Sequence, residues 1–290
     1  MASWGHPLKS VRPRPWRAGD RVLGGDRPLI MGILNVTPDS FHDGGLHSTA
    51  DQALRHAEAM LEAGADILDV GGESSRPGAE PVPEAEELAR TLPSVRGIVK
   101  RFDCPVSIDT VKANVARAAL AEGACIVNDI SAMTFDPMML EVPLGFRAGV
   151  VLNHIKGTPK DMQQAPAYAD VSAEVAEFLK GRIQVLAAMG VAKDRIAVDP
   201  GIGFGKRLED NYGLIGRMED LDALGCPILL GMSRKSFIGK TAGLEHSDRL
   251  FPSVALAVLA ALKGASILRV HDVRETREAL AMVAAVRAAL

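Results

Sequence analysis

Short apolar runs rich in Val, Ile, Leu and Met recur eight times along the chain. They fall at Leu29–Asn35, Ile67–Gly71, Val106–Asp109, Ile126–Asp129, Gly149–His154, Ile196–Asp199, Ile228–Gly231 and Ile267–His271. The runs lack the strict polar–apolar alternation of half-exposed strands, which is the pattern of strands buried on both faces. Longer stretches of helical period separate them, near 49–63, 83–101, 111–121, 136–146, 170–189, 208–223, 250–263 and 273–289. Several helices close on glycine just before the next run, as in Ala63-Gly64-Ala65, Met189-Gly190-Val191 and Lys263-Gly264-Ala265. Glycine suits that place because a helix C-terminus commonly ends in a left-handed conformation. Eight βα units without an intervening linker predict one α/β domain, a (β/α)8 TIM barrel over residues 29–290. A short N-terminal extension, residues 1–28, precedes it. An open doubly wound sheet has the same periodicity, and Pro137 and Pro143 make the fourth helix the weakest.

Composition narrows the picture. The 290 residues are 47% hydrophobic and 24% charged, enough for a packed core and too apolar for a disordered chain. A net charge of −3 gives no general field for nucleic acid, and no apolar run is long enough for a membrane span. Lys9, Arg12, Arg14 and Arg17 precede the first acid, Asp20, and Pro7, Pro13 and Pro15 break any amphipathic targeting helix. This stretch reads as a loosely packed lead-in. Cys104, Cys125 and Cys226 are odd in number and far apart, which fits reduced packing residues and a cytoplasmic location.

Every apolar run ends in polar residues: Asn35, Gly71-Gly72-Glu73, Asp109, Asn128-Asp129, Asn153-His154, Asp199, Ser233 and Lys235 just past the seventh, and Arg269 with His271. A lone Asp at a strand end is often only a helix cap, but capping alone does not explain eight polar ends. In a closed barrel the C-terminal strand ends and their loops form the active site. Asp109, Asn128 and Asp199 suit a flat heterocycle rich in N–H groups. Arg76, Arg269 and His271 suit a phosphate or pyrophosphate, so the pocket reads as acidic at one end and cationic at the other.

Familiar nucleotide and nucleophile motifs fail. Gly201-Ile202-Gly203-Phe204-Gly205-Lys206 lacks the leading glycine and trailing hydroxyl of a P-loop, where Pro200 and Arg207 stand instead. Gly231-Met232-Ser233-Arg234-Lys235 lacks the final glycine of a nucleophile elbow, and His271-Asp272 lacks further metal ligands.

Taken together, MGILNVTPDSFHDGG (Met31–Gly45), DVGGESSRPGA (Asp69–Ala79), SIDT, NDIS, KGTPKDMQ, DPGIGFGK, SRKSFIG and RVHDV, in this order, resemble the signatures of the dihydropteroate synthases. The resemblance covers residues 29–290 and implies the same barrel. It also implies condensation of 6-hydroxymethyl-7,8-dihydropterin pyrophosphate with p-aminobenzoate to give 7,8-dihydropteroate and pyrophosphate. By this likeness Asp109, Asn128, Ile130, Asn153, Asp199, Phe204 and Lys235 hold the pterin. Asn35, Ser75, Arg76, Arg269 and His271 bind pyrophosphate, with Mg2+ near Asn35. Phe41, Ser75, Pro77, Phe204, Lys235 and Ser236 line the p-aminobenzoate slot. Asp109, Asp199, Lys235, Arg269 and His271 are the implied catalytic set, and the implied assembly is a homodimer. Loops 36–48 and 72–83 have the glycines and prolines of closing lids.

The chain departs from the family at Ser75, where Thr is usual, and at Asn153 and Ile155, which stand for methionines on the pterin wall. Buried Asn153 needs a hydrogen-bonding partner, and the pterin itself is one candidate. Two other readings share the barrel: a corrinoid-linked pterin methyltransferase, and a paralogue that binds a pterin without turnover. SRKSFIG argues against the first, and intact Asp109, Asp199, Lys235, Arg269 and His271 argue against the second.

Overall fold

The computed structural model describes residues 12–37 and 46–289. The first described elements are a hairpin, β1 (Trp16–Ala18) with β2 (Arg21–Leu23). Eight parallel strands follow: β3 (Leu29–Asn35), β4 (Ile67–Gly71), β5 (Val106–Asp109), β6 (Ile126–Asp129), β7 (Gly149–Asn153), β8 (Ile196–Asp199), β9 (Leu229–Leu230) and β10 (Ile267–Val270). Their order is β8-β7-β6-β5-β4-β3-β10-β9. At the remaining seam Val198 bridges Ile228 in parallel, and its N–H donates to the Pro227 carbonyl at 2.9 Å. The sheet therefore curls round on itself, and the open doubly wound alternative is excluded.

Helices wrap the strands: α1 (Leu46–Glu62), α2 (Glu84–Arg101), α3 (Ala113–Ala121), α4 (Val142–Phe146), α5 (Val171–Ala188), α6 (Leu208–Gly216), α7 (Met218–Asp222), α8 (Ser236–Ala242), α9 (Leu250–Leu262) and α10 (Val273–Ala288). Three differ from the periodic pattern. The stretch 136–146 splits into a 3-10 turn, Pro137–Glu141, and the short α4, with Pro137 and Pro143 each in a first turn where a missing N–H costs nothing. The stretch 208–223 breaks at Arg217. Helix α8 is additional and starts directly after Lys235. No described helix is long and apolar enough to cross a membrane.

Strand side chains alternate between two layers, which explains the missing alternation in polarity. Ile30, Leu34, Leu68, Val70, Ile108, Val127, Val150, Leu152, Val198 and Leu268 point outward into one large core under the helices. Met31, Ile67, Ile126, Val151, Ala197, Leu229 and Ile267 point inward and form a separate apolar layer low in the barrel. Two residues further along five of these strands the inward side chain is polar: Asp69, Asn128, Asn153, Asp199 and Arg269. An apolar floor thus carries a polar storey.

The basic lead-in does not pack loosely where it is described. Trp16 and Ala18 are fully buried and belong to the apolar floor, so the hairpin plugs the barrel's N-terminal mouth. The Trp16 indole N–H donates to the Arg195 carbonyl at 2.8 Å, and Arg195 reaches the carbonyls of Gly19 and Arg147. Gly149 leaves room for this plug, since a Cβ there would press on Ala18 and Trp16. Trp16→Ala is expected to cost about 3 to 5 kcal/mol, measured by urea unfolding. A loss below about 1 kcal/mol would mean that the plug is not part of the core.

Candidate active site

The polar storey centres on Arg269. Its Nε donates to Asp69 Oδ2 and its Nη2 to Asp109 Oδ2, both at 2.6 Å. Asn128 Nδ2 joins the same Asp69 oxygen at 3.0 Å. Four strands, β4, β5, β6 and β10, are thereby tied across the interior. Burial alone would lower the guanidinium pKa, but the neighbouring carboxylates Asp69 and Asp109 outweigh it and hold Arg269 firmly charged. For Asp109 burial prevails: it pushes the carboxyl up to about 7, against the pull of Arg269 and with a further push from Asp69. The two-ended picture needs correction on this point. Arg269 is not an isolated cation; it lies among the acids while lining the cavity.

On β8 Asp199 accepts the Gly201 N–H at 2.7 Å. Burial pushes its pKa up, while Lys235, the Gly201 amide, Lys206 and Arg269 pull it down. Lys235 Nζ donates to the Ile202 carbonyl and lies 4.3 Å from the centre of the Phe204 ring. Burial lowers its pKa to about 8, partly offset by Asp199. Lys235 is therefore less firmly protonated than a surface lysine.

His271 receives a defined orientation. Ser233 Oγ accepts the His271 backbone N–H at 3.2 Å and lies 3.0 Å from its Nδ1. The Ser233 hydroxyl can donate to Nδ1 when that nitrogen is unprotonated, the tautomer in which Nε2 carries the ring proton. Burial first, then Arg269, lowers the His271 pKa to about 4. It is neutral at pH 7, a hydrogen-bond donor rather than the cation the sequence pattern implied.

The turn that carries Lys235 is fixed from behind. Arg234 adopts φ +55°, unusual for a residue with a side chain. Its guanidinium pairs with both oxygens of Asp272, its N–H donates to Ser253 Oγ at 2.9 Å, and its carbonyl accepts from Arg249 at 3.1 Å.

Above this polar storey opens a cavity of about 960 Å3. Asn35, Ser75, Arg76, Pro77, Asp109, Phe204, Lys235, Ser236, Arg269 and His271 all line it, as the sequence reading implied. Asn128, Asn153 and Asp199 are buried below its wall, and Ile130 packs with Ile155, Met162 and Phe204 in an apolar cluster beside it. Asn153 finds a partner within the protein, donating to the Ile130 carbonyl at 2.9 Å. Phe41 lies outside the described residues, as do Gly44 and Gly45. Asp129, named as a polar strand end, serves as a turn cap instead: its Oδ1 accepts from the N–H and hydroxyl of Ser131 at 2.7 and 2.6 Å.

Sequence reasoning missed several groups. Asp69 carries the Arg269 anchor, and its inward parity with Ile67 and Gly71 was the available signal. Glu73 accepts from the Val82 N–H and from Lys112, which also binds buried Glu87, so these groups brace loop 72–83. Arg90 donates to the Gly72 carbonyl at 2.9 Å. His246 and Arg249 join Arg76 and Arg234 on the cavity wall.

A closed (β/α)8 barrel with a polar interior storey below a cavity at its C-terminal mouth defines a barrel enzyme acting on a small polar molecule. Comparison with known proteins specifies which. Residues 31–271 match the family described as "Pterin binding enzyme". The dihydropteroate synthase of Escherichia coli strain K12 is 48% identical over 258 residues, covering 89% of this chain and 91% of that one. That of Synechocystis is 43% identical over 98% of this chain and 97% of its own. Among solved structures, the Yersinia pestis dihydropteroate synthase in a sulfonamide complex superposes with a TM-score of 0.89 at 46% identity, covering 94% and 99% of the two chains. The Burkholderia cenocepacia enzyme complexed with 7,8-dihydropteroate gives 0.87 at 44% identity, covering 97% and 99%. The chain belongs to the pterin-binding enzyme family and, within it, to the dihydropteroate synthases.

Asp69→Asn keeps the side chain's shape but removes a charge from the Arg269 cluster. Breaking a buried ion pair on one side is expected to cost about 3 kcal/mol, read by urea unfolding. An unchanged unfolding midpoint would show that Asp69 is not an anchor.

Proposed function

We propose that the protein is a transferase of folate synthesis that joins p-aminobenzoate to 6-hydroxymethyl-7,8-dihydropterin pyrophosphate, releasing pyrophosphate and 7,8-dihydropteroate. The observation that carries this reading is the set of buried Asn128 and Asp199 with cavity-lining Asp109, Lys235 and Arg269 in one barrel mouth, in a chain 48% identical to a dihydropteroate synthase over most of its length. A third solved relative, from Xanthomonas albilineans, holds 4-aminobenzoic acid and gives a TM-score of 0.88 at 45% identity.

In this reading the pterin lies flat against the polar storey, its N–H edge donating to Asp109 and Asp199, with Asn128 and Asn153 beside it. The C–O bond to pyrophosphate breaks, and the arylamine nitrogen bonds the methylene and sheds a proton to water or to the departing pyrophosphate. Positive charge grows on the methylene and spreads into the pterin, where the two carboxylates favour it. Negative charge grows on the leaving group, which Arg76, Arg269 and the Nε2 donor of His271 stabilise. Asn35 and Ser75 complete that end. Phe204, Pro77, Ser75 and Ser236 form the arylamine slot, with Lys235 between the two substrates. An arylamine is a neutral nucleophile at pH 7, so the chemistry needs neither a covalent intermediate nor a strong base.

No group of three or more His, Cys, Asp or Glu among the described residues forms a metal cage. Asn35 lines the cavity with one neutral amide oxygen, which fits a Mg2+ whose other ligands are phosphate oxygens and water. When bound there, the ion would neutralise charge on the departing pyrophosphate. The reading extends to a homodimer, for which Phe251 on α9 and Met282 and Val286 on α10 offer exposed apolar side chains. Light scattering on the purified chain is expected to give twice the 30.8 kDa protomer mass, and a monomer at micromolar concentration would exclude it. Free Cys104, Cys125 and Cys226 suit a cytoplasmic location.

The test is direct. Purified protein with both substrates and Mg2+ is expected to release dihydropteroate and pyrophosphate in equal amounts. Pterin binding without product would instead favour a silent paralogue. Lys235→Ala is expected to lose about 100-fold or more in kcat/KM with an unchanged unfolding midpoint. Wild-type turnover in that variant would remove Lys235 from the site.

A further inference from the structure

Lys206 is a lysine the proposed chemistry does not use, yet it is only 3% exposed. It ends the loop that follows β8 and carries Phe204. The carbonyls of that loop are all engaged: Gly201 by the Phe204 N–H, Ile202 by Lys235, Gly203 by Gln163, Phe204 by Lys206, and Gly205 by the Tyr168 hydroxyl. The Lys206 ammonium donates at 3.0 Å to the Phe204 carbonyl and at 3.3 Å to the His154 carbonyl, and lies 3.0 Å from His154 Nδ1. It therefore joins the loop to the residue that follows β7. Backbone fit reinforces the join. Gly201 and Gly205 have φ +69° and +63°, and a Cβ on either would overlap the carbonyl of His154 or Lys156.

We propose that Lys206 is a positioning residue for the catalytic mouth: its buried ammonium locks the Gly201–Lys206 loop, whose Gly201 N–H bonds Asp199, onto the end of β7, and adds its positive charge to that of Lys235 near Asp199. The inference rests on the dihydropteroate synthase reading. Groups around the pair support it. Asp199 feels Lys235, Lys206 and Arg269, with the Gly201 amide bonded to it. Lys206 in turn feels Asp199, Lys235, Asp210 and Lys156. His154 faces Lys206 as a neutral ring, because burial and then Lys206 lower its pKa to about 3. Burial lowers Lys206 itself to about 7, against the pull of Asp199. It is thus mostly protonated below about pH 7. Removing its charge raises the Asp199 pKa, so the pterin-binding carboxylate is lost at higher pH.

A test compares wild type, Lys206→Gln and Lys206→Arg. The readouts are kcat/KM and the affinity for 6-hydroxymethyl-7,8-dihydropterin pyrophosphate, each between pH 5 and pH 8 (about one pH unit per step suffices). In Lys206→Gln the acid limb, to which Asp109 contributes alike in all three proteins, is expected to move up by about 0.5 to 1 pH unit, a three- to tenfold loss at the acid end. Lys206→Arg is expected to keep the wild-type limb even where its plateau falls. A parallel loss at every pH, the same in both variants, would overturn the electrostatic role and leave only a packing role. Where Lys206→Gln does not fold, Lys206→Met, of similar length and without charge, carries the same comparison. Absence of turnover in wild type alone would count against the reaction and not against Lys206, whose effect on pterin affinity is still read.

Discussion

The half-buried Arg269 guanidinium and the two carboxylates it bridges set the terms for the rest of the interior. A charge placed among strands is costly unless paired, and pairing in a barrel requires partners on other strands that point inward at the same height. Asp69 on β4 and Asp109 on β5 meet that condition, and Asn128 on β6 extends the contact. The arrangement fixes strand register, because a slip of one residue would turn the Asp outward into the hydrocarbon under the helices. It also leaves carboxylate oxygens unspent: Asp69 Oδ1 is buried without a partner. The interior is therefore held together by groups that retain hydrogen-bonding capacity, a condition a polar substrate can exploit.

That same cluster explains why acidic and cationic groups stand side by side in the mouth. Opposite charges brought within 2.6 Å offset each other before any ligand arrives. Burial then dominates what remains. It pushes Asp109 up to about 7, lowers Lys235 to about 8 and lowers His271 to about 4. Each group sits closer to neutrality than its residue type suggests, so the binding of a charged substrate has a large effect on protonation within the mouth.

Much of this was legible in the chain. The eight apolar runs marked the barrel strands to within a few residues, since burial on both faces leaves an unbroken signal. The polar ends pointed to one rim because strand ends converge whenever a parallel barrel closes. Closure itself was not legible, as it depends on the contact between Val198 and Ile228, far apart in sequence. The hairpin at Trp16 escaped notice because two strands of three residues carry almost no periodicity. Helix α8 was hidden for a similar reason: its seven residues directly follow the Lys235 turn and read as part of a motif. Asp69 was overlooked because it stands mid-strand, where parity rather than position reveals that it faces inward.

The loops above the polar storey follow a different rule from the strands below it. Strand residues gain their positions from ladder hydrogen bonds, but a loop must find a separate partner for every carbonyl it buries. Between Gly201 and Gly205 those partners come from the loop's own Phe204 N–H, Gln163, Lys206, Lys235 and Tyr168. One of these, Lys235, also lies on the cavity wall against Phe204. Loop geometry and the cavity wall thus share an atom, Lys235 Nζ, and a ligand that drew it away would free the Ile202 carbonyl. The remaining ties, including those of Lys206, keep the loop in place when that happens. The small aromatic content of the chain acquires a physical sense here. Branched aliphatics suffice to fill the barrel layers, whereas Phe204 and Tyr168 occupy the places where a flat face or a reaching hydroxyl is required.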